Sequence, residues 1–292
     1  MRARGPVRAR LPRRALTAGG WLALTSALAL LAPAIAAADK AGSVTASGGA
    51  VQATLSWQAA DFGVKDPRLT IVRAGATLFD ASPLADAGVC SVGCIYAPSK
   101  DYTPLHVADL GGDAEPEVVA DSYTGGAHCC IVSDVLYFNG AAYARAEHNW
   151  GSYGYALKDL NGDGHPELNG YDAAFEDAFT SHATSFEPPL VLAYDPTASG
   201  ALRDVTRAFP AVIRKNVKEA LHIVAVTRRQ HAETLGGVAS YVADLYLLGR
   251  GREARPYLAR ARKRGDLRTA FGKAPKSFER RLLALLHKQG YR

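Results

Sequence analysis

The chain has 292 residues, long enough to bury a sizeable core in one or two domains. Its formal charge is +6, but six Arg and no acid fall in residues 1–38, which leaves 28 basic and 28 acidic side chains on the remaining 254 residues. A neutral body argues against an electrostatically driven nucleic-acid binder, although its charge is segregated: residues 39–199 carry 7 basic and 21 acidic side chains, and residues 200–292 carry 21 and 7.

Residues 1–38 read as a secretory signal peptide. Arg2, Arg4, Arg8, Arg10, Arg13 and Arg14 precede an apolar run over 15–32, and Ala34-Ile35-Ala36 and Ala36-Ala37-Ala38 are small-x-small cleavage patterns. The rival, a retained anchor, is weakened by Gly19, Gly20, Thr25 and Ser26 within the run. The expected location is periplasmic or secreted, with no transmembrane segment after cleavage.

β-type runs follow at 51–57, 69–73 and 76–79, separated by turn residues. The stretch 69–76 echoes 135–142, and each has the look of a hairpin with a Gly-containing turn. Cys90, Cys94, Cys129 and Cys130 make an even count in an exported chain, which reads as disulfides. Three connectivities are possible, and bridges between the Cys90/Cys94 pair and the Cys129/Cys130 pair avoid a strained bond between neighbours. A metal site using Cys90, Cys94, His128 and one of the vicinal pair is the rival, disfavoured by an oxidising compartment.

The richest chemistry lies at 159–167, where Asp159, Asn161, Asp163 and Glu167 put side-chain oxygens at alternate positions of a short loop. A hard cation such as Ca²⁺ needs six or more oxygens at once, and such spacing lets them face inward together. Gly164 sits where the loop turns sharply, and His165 would add its backbone carbonyl. A helix-flanked EF-hand is excluded, because Gly170 stands where its bidentate Glu belongs and the flanks read as strands. Fifty residues upstream a weaker copy offers Asp109, Asp113, Glu115 and Glu117, with Gly111 lacking a ligand side chain and Ala114 replacing the turn glycine.

A repeated D-L-N-G-D-G-x-P-E loop between short strands resembles the FG-GAP or VCBS-type repeat of integrin-like β-propellers and secreted bacterial proteins. Tyr123-Thr124-Gly125-Gly126-Ala127-His128-Cys129-Cys130 is similar to a stretch that follows such loops in uncharacterised secreted bacterial proteins. The resemblance covers about residues 100–200 and implies Ca²⁺ loops and blade-like sheets. Three repeats, the first without a loop, fall short of the four or so blades a closed propeller needs, so an open or irregular β assembly is expected.

Further along, Trp150, Tyr153 and Tyr155 offer aromatic surface for a sugar or peptide, or else core contacts. Asp172, Glu176 and Asp177 form an acidic cluster. From about residue 208 the period turns helical. Stripes run through Ile213, Val217, Ala220, Leu221 and Val224, then Val238, Tyr241, Val242, Leu245 and Leu248. Two more run through Ala254, Tyr257, Leu258 and Ala261, then Phe278, Leu282, Leu285 and Leu286, with Ser277 as N-cap. Residues 238–262 resemble one degenerate TPR-type hairpin.

The expected molecule is α+β: a β region of two to three blade-like repeats over 39–205, then a basic helical region over 208–292. The expected function is an exported, Ca²⁺-stabilised binding protein for a protein or carbohydrate ligand, since no Ser-His-Asp spacing, HExxH or nucleophile elbow is present. A secreted hydrolase using acidic loop residues or a metal, and a binder of anionic polymers or lipids through the basic helices, are the alternatives. The charge split predicts that the basic helices dock on the acidic β region.

Overall fold

Three four-stranded antiparallel meanders follow one another along the chain, each with its strands hydrogen-bonded in chain order. The first comprises β1 (Gly42–Gly48), β2 (Val51–Ala59), β3 (Val64–Arg73) and β4 (Ala76–Ala81). The second comprises β5 (Leu105–Ala108), β6 (Glu117–Tyr123), β7 (Ile131–Phe138) and β8 (Tyr143–Asn149). The third comprises β9 (Tyr155–Lys158), β10 (Glu167–Tyr171), β11 (Pro189–Tyr194) and β12 (Leu202–Asp204). These come from a computed structural model that describes residues 41–59, 64–83, 102–124, 130–198 and 201–292. The leader at 1–38 and Cys90, Cys94, His128 and Cys129 lie outside the described residues.

Side-chain alternation fixes how the sheets stack. In β2, Val51, Ala53, Leu55 and Trp57 are buried while Gln52, Thr54 and Ser56 are not, the period of a strand with one core face. That face joins Leu69 and Ile71 of β3 to Leu105, Val118, Ala120 and Leu136 of the second sheet. The second sheet's other face sends Val119, Val135 and Ala146 against Leu168 and Leu192 of the third. The second sheet is therefore covered on both sides, and β6 is buried along nearly its whole length. Each sheet is open, as its strand order shows, and none closes into a barrel.

The echo between 69–76 and 135–142 has a structural counterpart. Both stretches turn from the third to the fourth strand of their sheets. Gly75 (φ +85°) and Gly140 (φ +96°) hold the positive φ that each turn requires.

Four α-helices complete the fold: α1 (Pro210–Arg229), α2 (Leu235–Leu247), α3 (Ala254–Arg264) and α4 (Phe278–Lys288). α2 is buried on all sides except at Tyr241 and Tyr246, so it is the centre of the helical core. Its Gly236 is required by close approach, since a Cβ there would lie 2.4 Å from the Thr184 carbonyl oxygen. Three details differ from expectation. Leu221 is 40% exposed, because 100° per residue carries it about 80° round from Ile213. Ser277 occupies the N-cap of α4 but makes no capping hydrogen bond. A small hairpin, β13 (Arg268–Thr269) with β14 (Gly272–Lys273), sits in what had no strand signal.

The helices dock on the connection between β10 and β11, residues 172–188. Phe175 is buried in the helical core, edge-on to Tyr291 at 5.7 Å, and Phe179 meets Phe278 at 5.4 Å. The Tyr291 hydroxyl donates to Asp172 at 2.9 Å, and Arg281 donates to the Ala178 carbonyl at 2.8 Å. Docking is present and apolar contacts carry it, while the opposite charges expected to favour and orient it form no ion pair between the two regions among the described residues. Arg228 and Arg264 pair with Asp266, Arg250 with Glu253, Arg262 with Glu279 and Lys215 with Glu219. The apolar stripes face one another and the 172–188 connection, and most of the helices' cations are exposed. Residues 36–292 form one compact unit, and among the described residues no helix is long and apolar enough to cross a membrane.

Candidate cation-binding loops

The residues 159–166 connect β9 to β10, whose register starts at Lys158 opposite Glu167. The strand–loop–strand reading is what the structure has, and the side chains build the loop from within. Asp159 accepts from the Gly162 N–H at 2.6 Å and the Gly164 N–H at 2.9 Å. These backbone bonds, Gly164 first, hold the Asp159 carboxyl below its usual range. Asp163 Oδ1 accepts from the His165 N–H at 2.8 Å, and Glu167 Oε2 from the Leu160 N–H at 2.9 Å. The second oxygens then converge: Asn161 Nδ2 reaches Asp163 Oδ2 at 2.7 Å and Glu167 Oε1 at 3.5 Å. The Asn161 amide nitrogen thus bridges two carboxylate oxygens, while its Oδ1 accepts from the Asp163 N–H at 2.9 Å. Gly162 (φ +81°) and Gly164 (φ +91°) supply the left-handed turns.

The 109–117 loop stands at the same place in its own sheet, between the first and second strands, and repeats these bonds. Asp109 accepts from the Gly112 N–H at 2.7 Å and the Ala114 N–H at 3.0 Å, and Asp113 accepts from the Glu115 N–H at 3.0 Å. Glu117, 2% exposed, accepts from the Leu110 N–H at 2.8 Å. Burial first, with Asp113 and Asp109 nearby, pushes Glu117 up to about 7. Ala114 holds φ +63°, a conformation that suits glycine. Gly111 brings no counterpart to Asn161. Glu115 faces away: Arg73 of the first sheet donates to its carboxylate from Nε at 2.8 Å and from Nη2.

The two loops touch, which the sequence did not signal. The His165 ring nitrogen Nδ1 lies 3.3 Å from the Asp109 carbonyl oxygen, and a Cβ on Gly112 would fall 2.9 Å from His165 Nε2. His165 therefore serves the loop pair with its side chain, beyond the carbonyl anticipated for it.

The other singled-out residues divide. Trp150 is 1% exposed, stacks on Tyr155 at 4.8 Å and belongs to the core. Tyr153 is 50% and Tyr171 37% exposed, and they meet edge-on at 6.2 Å. They line a 420 Å³ groove with Asn169, Lys215 and Glu219. Asp172 is taken up structurally, accepting from the Ala174 N–H and the Tyr291 hydroxyl. Glu176 and Asp177 instead gather round His182, whose Nδ1 lies 3.2 Å from Glu176 Oε1 and 3.6 Å from Asp177 Oδ2. Sequence reading passed over His182, although its spacing from the two acids was visible.

A buried polar chain links the second and third sheets. Trp150 Nε1 donates to Ser133 Oγ at 2.9 Å, Ser133 donates to Asp121 at 2.6 Å, and Tyr155 donates to Asp121 at 3.1 Å. Burial pushes Asp121 up to about 7, and Asp134 likewise, the latter opposed by Arg145 at 3.6 Å. No local pattern foretold buried acids here, since a strand covered on both faces gives no alternation to break.

No family model matches the chain, and no solved structure does. Two curated relatives do. A 153-residue stretch, 50% of this chain, is 31% identical to 44% of a probable thylakoid lumen protein of Synechocystis sp.. A stretch of 83 residues, 28% of this chain, is 35% identical to 13% of the uncharacterized protein y4bJ of Sinorhizobium fredii. The chain thus spans less than half the length of either curated relative it matches.

Proposed function

We propose that this chain is an exported binding module, without catalytic machinery of its own, whose loop at 159–167 is stiffened by Ca²⁺. The observation that carries the reading is that Asp163 Oδ2 and Glu167 Oε1 converge on one point, now held by the Asn161 amide nitrogen at 2.7 and 3.5 Å. Asp159 and the His165 carbonyl complete the donor set, while the 109–117 loop, with Gly111 where Asn161 stands, is the weaker site. The three meanders are blade-like repeats in this reading, with the loop pair at one shared edge. Export is supported by the leader and by the name of the cyanobacterial relative, a lumen protein. The four cysteines fit the same compartment as disulfides. The ligand is a protein or carbohydrate, and the groove beside Tyr153 and Tyr171 offers the exposed aromatic surface such a ligand stacks on.

Extracellular Ca²⁺ modules bind at about 10⁻⁴–10⁻³ M. At ten times Kd the ion adds roughly 1.4 kcal/mol to stability. Thermal melts of the purified chain with Ca²⁺ and with chelator test this. Wild type and Asp113→Ala are expected to melt higher in Ca²⁺, and Asp163→Ala to melt alike in both. Equal Ca²⁺ shifts for wild type and Asp163→Ala would remove the loop from the account.

A further inference from the structure

We propose that Glu176, Asp177 and His182, beside the buried Glu187, form a second metal site, for a divalent transition ion of the Mn²⁺–Zn²⁺ class, that clamps the β10–β11 connection beneath the helices. One ligand atom from each of Glu176, Asp177 and His182 lies within 4.8 Å of the others. The independent observation is Glu187. It is 5% exposed, and its Oε1 has no hydrogen-bond partner among the described residues. A buried carboxylate oxygen without a donor is costly. Glu176 and Asp177 lie close enough to Glu187 for their charges to act on it. Glu176, Asp177 and His182 bring two carboxylates and an imidazole together, a donor set that suits a dication.

The surroundings are those of a ligand set held in place. Ser152 donates to Glu176 from its N–H at 3.1 Å and from its hydroxyl, fixing the carboxylate from behind. The Asp177 N–H donates to Ser185 Oγ at 2.9 Å. The His182 ring lies parallel to Tyr153 at 6.2 Å, which sets its plane. Asp177 is exposed and gives the ion a way in. An imidazole among carboxylates suits Mn²⁺, Fe²⁺ or Zn²⁺ better than Ca²⁺, whose ligands are all oxygen. The site therefore differs in chemistry from the loop at 159–167.

The position gives the ion a task. The same connection carries Phe175 and Phe179 into the helical core and presents Ser181 and Thr184 to Glu233. Tying residues 176, 177 and 182 to one ion would fix this segment, and with it the seat of the helices.

The test is calorimetric titration of the purified full chain with Zn²⁺ and with Mn²⁺, in an Asp159→Ala/Asp163→Ala background that silences the loop. One equivalent is expected to bind there, with affinity lowered at least tenfold by His182→Ala and by Asp177→Asn, and with no competition from Ca²⁺. Asp177→Asn guards against misfolding: the residue is exposed, and Asn tolerates its left-handed φ of +55°. Absence of saturable binding in the background, or binding that both variants leave unchanged, would overturn the site.

Discussion

Ala114 and Gly164 stand at the same point of two similar loops, and the comparison isolates one backbone angle. Gly164 adopts φ +91° without a Cβ, while Ala114 is held at φ +63°. The left-handed conformation costs a Cβ-bearing residue about 1–2 kcal/mol, partly offset by the greater unfolded-state freedom of glycine. Ala114→Gly is therefore expected to stabilise the chain by about 0.5–1 kcal/mol in chemical denaturation, and Gly164→Ala to destabilise it by a similar or larger amount. A second residue-scale case is Asp244, fully buried in α2, where it accepts from Asn216 Nδ2 at 3.0 Å. Burial pushes its carboxyl from 3.8 up to about 8, against the Asn216 bond. Between about pH 4 and 8 the unfolded chain has released this proton and the folded chain keeps it, so its contribution to stability falls as pH rises, and is lowest above about 8. Asp244→Asn should flatten that slope and raise stability at pH 8 by about 1–3 kcal/mol. Denaturation midpoints measured across pH 4–8 check it.

At the scale of elements, the β10–β11 connection joins two halves that differ in composition and period. Glu233, just before α2, accepts from Ser181 N–H at 3.1 Å, Ser181 Oγ at 2.7 Å, Ala270 N–H at 3.0 Å and the Thr184 hydroxyl. Against the desolvation that burial imposes, these bonds hold its carboxyl down to about 2. Glu233→Ala should cost about 1–2 kcal/mol and raise hydrogen exchange in 172–188. The sequence made much of this level legible. The alternation of 51–57 marked β2, four apolar stripes marked four helices, and the donors at 159–167 marked a strand–loop–strand turn. What it left out depends on long-range packing. The apposition of His165 with Asp109 joins residues far apart in sequence. The hairpin at 268–273 is two residues per strand, too short for a pattern. The buried acids at 121, 134 and 187 sit where two layers close over a segment whose own neighbours do not reveal it. His182 was readable as a spacing, but only the 3-10 turn at His182–Thr184 folds it back on Glu176.

Over the whole molecule, three stacked sheets and a helical layer share one compact unit, and apolar burial holds the layers together. The segregation of charge between the halves plays little part, since the described ion pairs of the helices stay within the helical region. The exposed pairs contribute about 0–1 kcal/mol each. Unfolding is therefore expected to be a single transition whose midpoint moves little between low and high salt. Two separate transitions, or strong salt dependence, would return the charge split to a structural role. In the proposed function the chain is a Ca²⁺-stiffened module whose stronger loop is the later of two. Direct calorimetric titration of the full chain with Ca²⁺ is the closest test. A saturable site with Kd of about 10⁻⁴–10⁻³ M is expected, retained in Asp113→Ala and abolished in Asp163→Ala. Wild-type protein that takes up no Ca²⁺ up to about ten times that range, or Asp163→Ala protein that binds as wild type does, would contradict it.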